Sequence, residues 1–169
     1  KVPNPNYLFI DVEIATDAKA GKRTISFSHN GSVVESFDYW LKERERTAEE
    51  FVGFNNSDVI YLITPDRFAN GNTANDNVVG MKEKANRSFH GGRHGGDIAG
   101  LDQNLDYIKG MGFTAVWINP LLENNMDEFS YHGYSTTDFY KVDPRYGSNE
   151  EYKILVDNAR SKGLKVIMD

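Results

Sequence analysis

Gly112-Phe113-Thr114-Ala115-Val116-Trp117-Ile118-Asn119-Pro120 decides the fold. Its centre, residues 115–118, is apolar at every position, as expected of a strand covered on both faces. Pro120 stops it, because proline cannot donate to a sheet ladder. The run Val59-Ile60-Tyr61-Leu62-Ile63 reads the same way, and so does Val166-Ile167-Met168 before the final Asp169. Between these apolar runs the period changes to that of a helix. Leu101, Leu105 and Ile108 form one helical face, closed by Gly110 and Gly112. Tyr152, Leu155, Val156 and Ala159 form another, opened by a capping box of Ser148 and Glu151 and ended by Gly163.

Strand, helix, strand, helix, strand implies right-handed βαβ units and a parallel sheet. Two architectures satisfy that order, an open doubly wound sheet or a (β/α)8 barrel, and periodicity does not choose between them. In both, chemistry sits where the loops leave the carboxyl ends of the strands. The loops after residues 63 and 118 are long and polar, and loops of that size are usually functional.

The chain before residue 46 belongs to a different regime. Leu8, Ile10, Val12 and Ile14 alternate with Phe9, Asp11 and Glu13, which predicts a strand buried on one face. Ile25 and Phe27 continue that period. Asn30-Gly31 then predicts a hairpin, since both residues tolerate positive φ, and Val33, Phe37, Tyr39 and Leu41 mark the return strand. Some three strands make no independent core, so residues 1–46 read as the tail of a β-sandwich. Residues 47–57 read as a linker and residues 58–169 as the α/β domain. The run Lys42-Glu43-Arg44-Glu45-Arg46 reads as a solvated face.

Composition narrows the function. The 169 residues carry a formal net charge of -6 and a pI near 5.2, which argues against nucleic acid or an anionic membrane as partner. No apolar run approaches the length of a membrane span, and the first residues lack signal-peptide order. With no cysteine, disulfides, thiolate metal sites and a cysteine nucleophile are excluded.

Three polar stretches could carry chemistry. His90-Gly91-Gly92-Arg93-His94-Gly95-Gly96-Asp97 is rich in glycine but fits neither phosphate-loop spacing, and its glycines make a helical zinc pair of His90 and His94 implausible. Asn70-Gly71-Asn72-Thr73-Ala74-Asn75-Asp76 concentrates oxygen-bearing side chains. It reads either as a succession of Asx turns or as a site for a hard cation. Tyr131-His132-Gly133-Tyr134 offers aromatic rings that either pack inward or stack on an apolar sugar face. Asp138, Asp143 and Asp169 add scattered carboxylates.

Taken together, five ordered segments resemble the α-amylase superfamily of retaining glycoside hydrolases. They are residues 61–68 (Tyr-Leu-Ile-Thr-Pro-Asp-Arg-Phe), 95–101 (Gly-Gly-Asp-Ile-Ala-Gly-Leu), 112–120, 131–134 followed by Asp138-Phe139-Tyr140, and 163–169 (Gly-Leu-Lys-Val-Ile-Met-Asp). The continuation Asp66-Arg67-Phe68-Ala69-Asn70-Gly71 is similar to the cyclomaltodextrinase and neopullulanase branch. The resemblance implies the first three βα units of a (β/α)8 TIM barrel, preceded by the last strands of an immunoglobulin-like β-sandwich. It implies a parent enzyme longer than this chain, which hydrolyses α-1,4-glucosidic bonds in cyclic or linear maltodextrins. A transglycosylase or isomerase on the same barrel is the alternative, or a non-catalytic glucan-binding homologue.

The same resemblance implies a calcium ion held by Asn70, Asn72, Asn75, Asp76, the Gly95 carbonyl and Asp97. It implies that Tyr134 stacks under the sugar before the scissile bond, with its hydroxyl secondary, and that His132 is its polar neighbour. Asp169 would open the family's first conserved box, a structural position near the active site. The nucleophile and the acid/base lie on later strands, so no catalytic residue is expected within this chain. The implied partner is a maltodextrin, cyclodextrin or related α-glucan, with no nucleic acid and no membrane. There is room for a homodimeric parent, and the periplasm is placed ahead of the cytoplasm.

Overall fold

A computed structural model describes residue 6, residues 8–44 and residues 53–169. The chain divides into two compact units, Lys1–Val52 and Gly53–Asp169. In the first, β1 (Gly21–His29) and β2 (Ser32–Leu41) form an antiparallel hairpin. Asn30 and Gly31 turn it at φ 49° and 80°, as the Asn-Gly signal predicts. A bulge interrupts the register between Phe27 and Ser28. The alternating segment from Leu8 to Ile14 forms no strand, a correction to the sequence reading. Alternation supplies a face, but a strand also needs a neighbouring ladder for its N–H and C=O groups. Residues 45 and 46 of the charged run, Tyr7, and positions 47–52 of the expected linker lie outside the described residues.

The second unit is built on β3 (Ile60–Ile63), β4 (Ala115–Ile118) and β7 (Lys165–Met168), parallel and in the order β3-β4-β7. Three helices cover them: α2 (Ile98–Gln103), α3 (Leu105–Gly110) and α4 (Asn149–Ser161). A short helix, α1 (Pro65–Phe68), follows β3 directly. The helix predicted around Leu101, Leu105 and Ile108 is two helices, because Asn104 leaves helical geometry (φ -109°, ψ 11°) and its side chain donates to the Gly100 carbonyl at 2.7 Å. An asparagine that bonds nearby backbone competes with the helix ladder. Ser148 caps α4 by accepting from the Glu151 N–H, as the capping box predicts. The strands β5 (Leu122–Glu123) and β6 (Asp138–Val142) pair antiparallel inside the second long loop, and the sequence did not signal them.

Burial gives the sheet two unlike faces. Ile63, Val116 and Ile118 pack with Ile98, Leu101, Leu105, Ile108, Leu155 and Ala159, and Tyr61 and Val166 lie against the same cluster. The strand positions in that set alternate by two, so they share one face of the sheet. On the other face Leu62 and Trp117 stand in register, 58% and 40% exposed, with Ile167 opposite Trp117. A doubly wound sheet carries helices on both faces and reverses its strand order. Among the described residues, α2, α3 and α4 lie on one face, the other face is apolar, and the strands follow chain order, as in the wall of a barrel. The sheet is the opening arc of a (β/α)8 barrel.

Opposite the strands' carboxyl ends, the amino ends are locked by charge. Lys165 Nζ reaches Asp58 Oδ2 at 2.7 Å, and Asp58 also accepts from the Asn55 N–H (2.8 Å) and from the Thr114 hydroxyl (2.8 Å). Asp58, Thr114 and Lys165 stand just before or at the starts of β3, β4 and β7, so one carboxylate ties three strands. The Lys165 hydrogen bond, with those from Asn55 and Thr114, holds the Asp58 carboxyl down at about 2.

Candidate functional site at the carboxyl ends of the strands

Thr64, Asn119 and Asp169 follow the last residues of β3, β4 and β7 and line up across the sheet. The Asn119 N–H donates to the Ile63 carbonyl (2.9 Å) and the Asp169 N–H to the Ile118 carbonyl (3.2 Å), so the ladder continues one step beyond the strands. Asn119 Nδ2 reaches Thr64 Oγ1 at 3.3 Å, and Asn119 Oδ1 is buried without a partner. A polar rim therefore stands at the mouth of the arc, where βα loops place chemistry.

Over this rim the structure brings Tyr134 and His132 together with Asp169. Ser130–His132 forms a single 3-10 turn, and Gly133 follows at φ 84°. A methyl group on Gly133 would collide with the carbonyl of Pro120, so glycine alone lets this loop sit down on the end of β4. The Tyr134 N–H donates to His132 Nδ1 at 2.9 Å, which leaves the neutral imidazole's proton on Nε2, free to donate. The two rings stack, with centroids 5.8 Å apart and planes 29° apart. The Tyr134 hydroxyl donates to Asp169 Oδ2 at 2.6 Å while the ring stays 60% exposed. That hydrogen bond, with desolvation and the carboxylate charge, raises the Tyr134 ionisation above its ordinary value. Tyr134 is a flat apolar plate with a fixed hydroxyl.

The cation candidates converge as well. Asn70 Nδ2 donates to Asp76 Oδ1 at 2.7 Å, and a methyl on Gly95, which lies at φ 86°, would strike both atoms. Asn70 Oδ1 and Asn75 Oδ1 are buried with no hydrogen-bond partner. Leaving such atoms unpaired is costly, and two carbonyl oxygens in one loop suit a hard cation. Asn72 Oδ1 accepts from the Ala74 N–H at 3.1 Å, the Asx-type turn of the first sequence reading. Asp97 is the most committed of the six. Its Oδ1 accepts from Gly71 N (2.9 Å) and Gly100 N (2.7 Å), and its Oδ2 from Asn72 N (2.9 Å). It caps α2, pins the loop, and keeps one Oδ2 lone pair for a ligand. Among the described residues no cluster of three or more His, Cys, Asp or Glu could hold a metal, so the donor set here is chiefly amide and carbonyl oxygen.

Ionic residues whose burial the sequence did not signal carry both loops. Asp66, fully buried after β3, accepts from the N–H groups of His94 (2.8 Å) and Gly95 (3.2 Å) and from Arg67 (2.7 Å). Arg67 in turn lies over the Tyr131 ring, 3.9 Å from its centroid. Asp143 and Arg145 form a buried pair at 2.7 Å, and Arg145 also donates to the carbonyls of Glu83 and Asn124. Burial pushes the Asp143 carboxyl up, but the Arg145 hydrogen bonds and the charges of Arg93 and Arg145 outweigh it and leave it lowered. The glycines of the 91–100 stretch serve close packing. A methyl on Gly96 would strike the Pro65 carbonyl, and one on Gly100 the Ala69 carbonyl.

A parallel arc with its helices on one face and long loops at the strands' carboxyl ends defines the class of (β/α)8 barrels. Residues 62–169 match the family described as alpha amylase, catalytic domain, and residues 1–45 match cyclomaltodextrinase, N-terminal. The chain belongs to the α-amylase family of glycoside hydrolases and is related to cyclomaltodextrinases and neopullulanases. It is 46% identical over 110 residues to a beta/alpha-amylase of Paenibacillus polymyxa, covering 65% of this chain and 9% of that protein. It is 32% identical over 157 residues to neopullulanase 2 of Thermoactinomyces vulgaris, covering 92% of this chain and 23% of that protein. The crystal structure of an Anoxybacillus alpha-amylase superposes with a TM-score of 0.55 at 43% identity, over 66% of this chain and 23% of that one. The chain thus spans less than a quarter of the length of these relatives.

Proposed function

We propose that the protein to which these residues belong hydrolyses α-1,4-glucosidic bonds in cyclic or linear maltodextrins with retention of configuration. The observation that carries this reading is the Tyr134 ring, exposed at the strand ends yet fixed at its hydroxyl and its backbone N–H. A flat ring with two torsions stacks on the C–H face of a glucose residue at small entropic cost. His132 Nε2–H stands beside it as a donor for a sugar hydroxyl. Retention requires two carboxyl groups about 5–5.5 Å apart across the scissile bond. This chain's residues do not supply that pair. Their part is to bind and orient the sugar.

The first long loop would hold a calcium ion through Asn70, Asn72, Asn75, Asp76, the Gly95 carbonyl and Asp97. Its donor set suits such an ion by composition, with six oxygens, two from carboxylates. The ion would supply charge compensation and a fixed loop shape, away from the sugar. The family resemblance favours the periplasm over the cytoplasm. Residues 1–46 would be the closing strands of an immunoglobulin-like sandwich, with the apolar side of the β1–β2 hairpin turned to the facing layer.

The test is to incubate the full-length protein with cyclomaltodextrins and linear maltodextrins and follow the products by proton NMR. Release of α-anomers as the first products supports the reading. Chain-lengthened or rearranged products would reassign it as a transglycosylase or isomerase. Binding without turnover would make it a glucan-binding homologue.

A further inference from the structure

We propose that Asp169 is a positioning residue that sets the angle of the Tyr134 ring through the Tyr134 hydroxyl, so that the hydroxyl is required for stacking to assist turnover. The proposal rests on the reading of Tyr134 as the sugar platform. It departs from the expectation that stacking alone matters and the hydroxyl is secondary.

Three observations carry it. Tyr134 is 60% exposed, so packing does not hold its ring. A mostly exposed side chain samples rotamers freely unless something polar ties it down. The structure supplies that tie: a 2.6 Å hydrogen bond from Tyr134 Oη to Asp169 Oδ2, in the short range of charge-assisted bonds. Asp169 is itself rigid, because it directly follows β7 and its N–H continues the ladder to the Ile118 carbonyl. The plate is thus referenced to the barrel sheet at the hydroxyl end and to the His132 ring and Nδ1 at the backbone end. An aromatic ring anchored at both ends presents one angle to a distorted sugar. One anchored at a single end follows the sugar back to its relaxed shape, and only differential binding of the distorted form accelerates turnover.

The experiment is a double-mutant cycle in the full-length protein, with Tyr134→Phe, Asp169→Ala, Asp169→Asn and the double variant Tyr134→Phe/Asp169→Ala. A charge-assisted hydrogen bond lost from the transition state predicts a kcat about 10- to 100-fold lower for Tyr134→Phe and for Asp169→Ala, with KM changed less than about threefold. Asp169→Asn, whose amide oxygen still accepts, recovers part of the loss. The double variant is within about twofold of the worse single one. Multiplying losses, or a Tyr134→Phe variant with wild-type kcat, would overturn the proposal while leaving the glucan-hydrolase reading intact. Raman spectroscopy of the tyrosine Fermi doublet gives a readout free of activity. The strong-donor signature, assigned by difference against Tyr134→Phe, disappears in Asp169→Ala, and its persistence there overturns the contact. A wild-type protein inactive on every α-glucan would sink the functional reading and the kinetic arm together, whereas the Raman arm would still decide whether Asp169 fixes the ring.

Discussion

Asn70 and Asp76 face one another across the first long loop: the amide nitrogen of Asn70 donates to Asp76 Oδ1 at 2.7 Å, while the carbonyl oxygen of the same amide lies buried and unpaired. One side chain is half satisfied, and the missing half is an electron-pair acceptor. The melting temperature of the full-length protein should therefore rise with free calcium. A concentration one hundredfold above Kd would add about 2.7 kcal/mol. Asn70→Ala should remove most of that increment. Calorimetry with and without a chelator checks it, and an Asn70→Ala protein that keeps the full calcium response would rule out this loop.

Gly96→Ala and Gly100→Ala should each destabilise strongly. The added methyl meets backbone carbonyls of Pro65 and Ala69, which cannot rotate away as a flexible side chain would. Overpacking typically costs about 1–3 kcal/mol, and contact with backbone belongs at or above the upper end. Gly110→Ala, where nothing lies nearby, is the matched control and should be near neutral. Urea unfolding midpoints of the three proteins decide this.

How much of this was legible in the sequence depended on the range of the interaction. The strands at residues 60–63, 115–118 and 165–168 were legible because apolar runs, Pro120 and the Ser148 cap act within a few residues. The break at Asn104 was not, because Leu101, Leu105 and Ile108 keep a helical period through it. The choice of barrel over open sheet was not read from period either. Period names the face of a strand, and only packing says which face the helices cover. At the site, Tyr134, His132 and the Asn70–Asp76 loop could be named in advance by residue type and order. The burial of Asp66 and Arg93 and the pairing of Asp143 with Arg145 could not be, since a charged residue in a polar loop looks the same buried or solvated. The segment from Leu8 to Ile14 misled for the converse reason, having pattern without a partner ladder.

Arg145→Ala should cost about 3 kcal/mol, because it takes the ion-pair partner from the buried Asp143 carboxylate and leaves it only two backbone N–H groups and the more distant Arg93 charge. It also removes donors from the carbonyls of Glu83 and Asn124. Asp143→Asn combined with Arg145→Met should recover part of the loss. Thermal melting of the single and combined variants would expose a contrary result, with the combination no better than Arg145→Ala.

At the other end of the sheet, Asp58 makes stability depend on acid. Its folded value is near 2 against an ordinary 3.8, so the folded state binds the proton less readily than the unfolded chain. The contribution is complete above about pH 4 and fades as pH falls towards 2. Asp58→Asn should leave a protein less stable at neutral pH whose stability changes less between pH 4 and 2. Denaturant midpoints across that window test the sign, and an unchanged slope would reject it.

The apolar face opposite the helices has an optical consequence. Within these residues Trp40 lies in the first unit and Trp117 on that face, where Trp117 is 40% exposed. In a completed barrel the same indole would belong to the layered interior, away from water. Its emission then becomes a built-in gauge of ring closure. The emission assigned to Trp117 by difference against a Trp117→Phe protein should shift to the blue during refolding of the full-length protein, timing the moment at which the later strands join the first three.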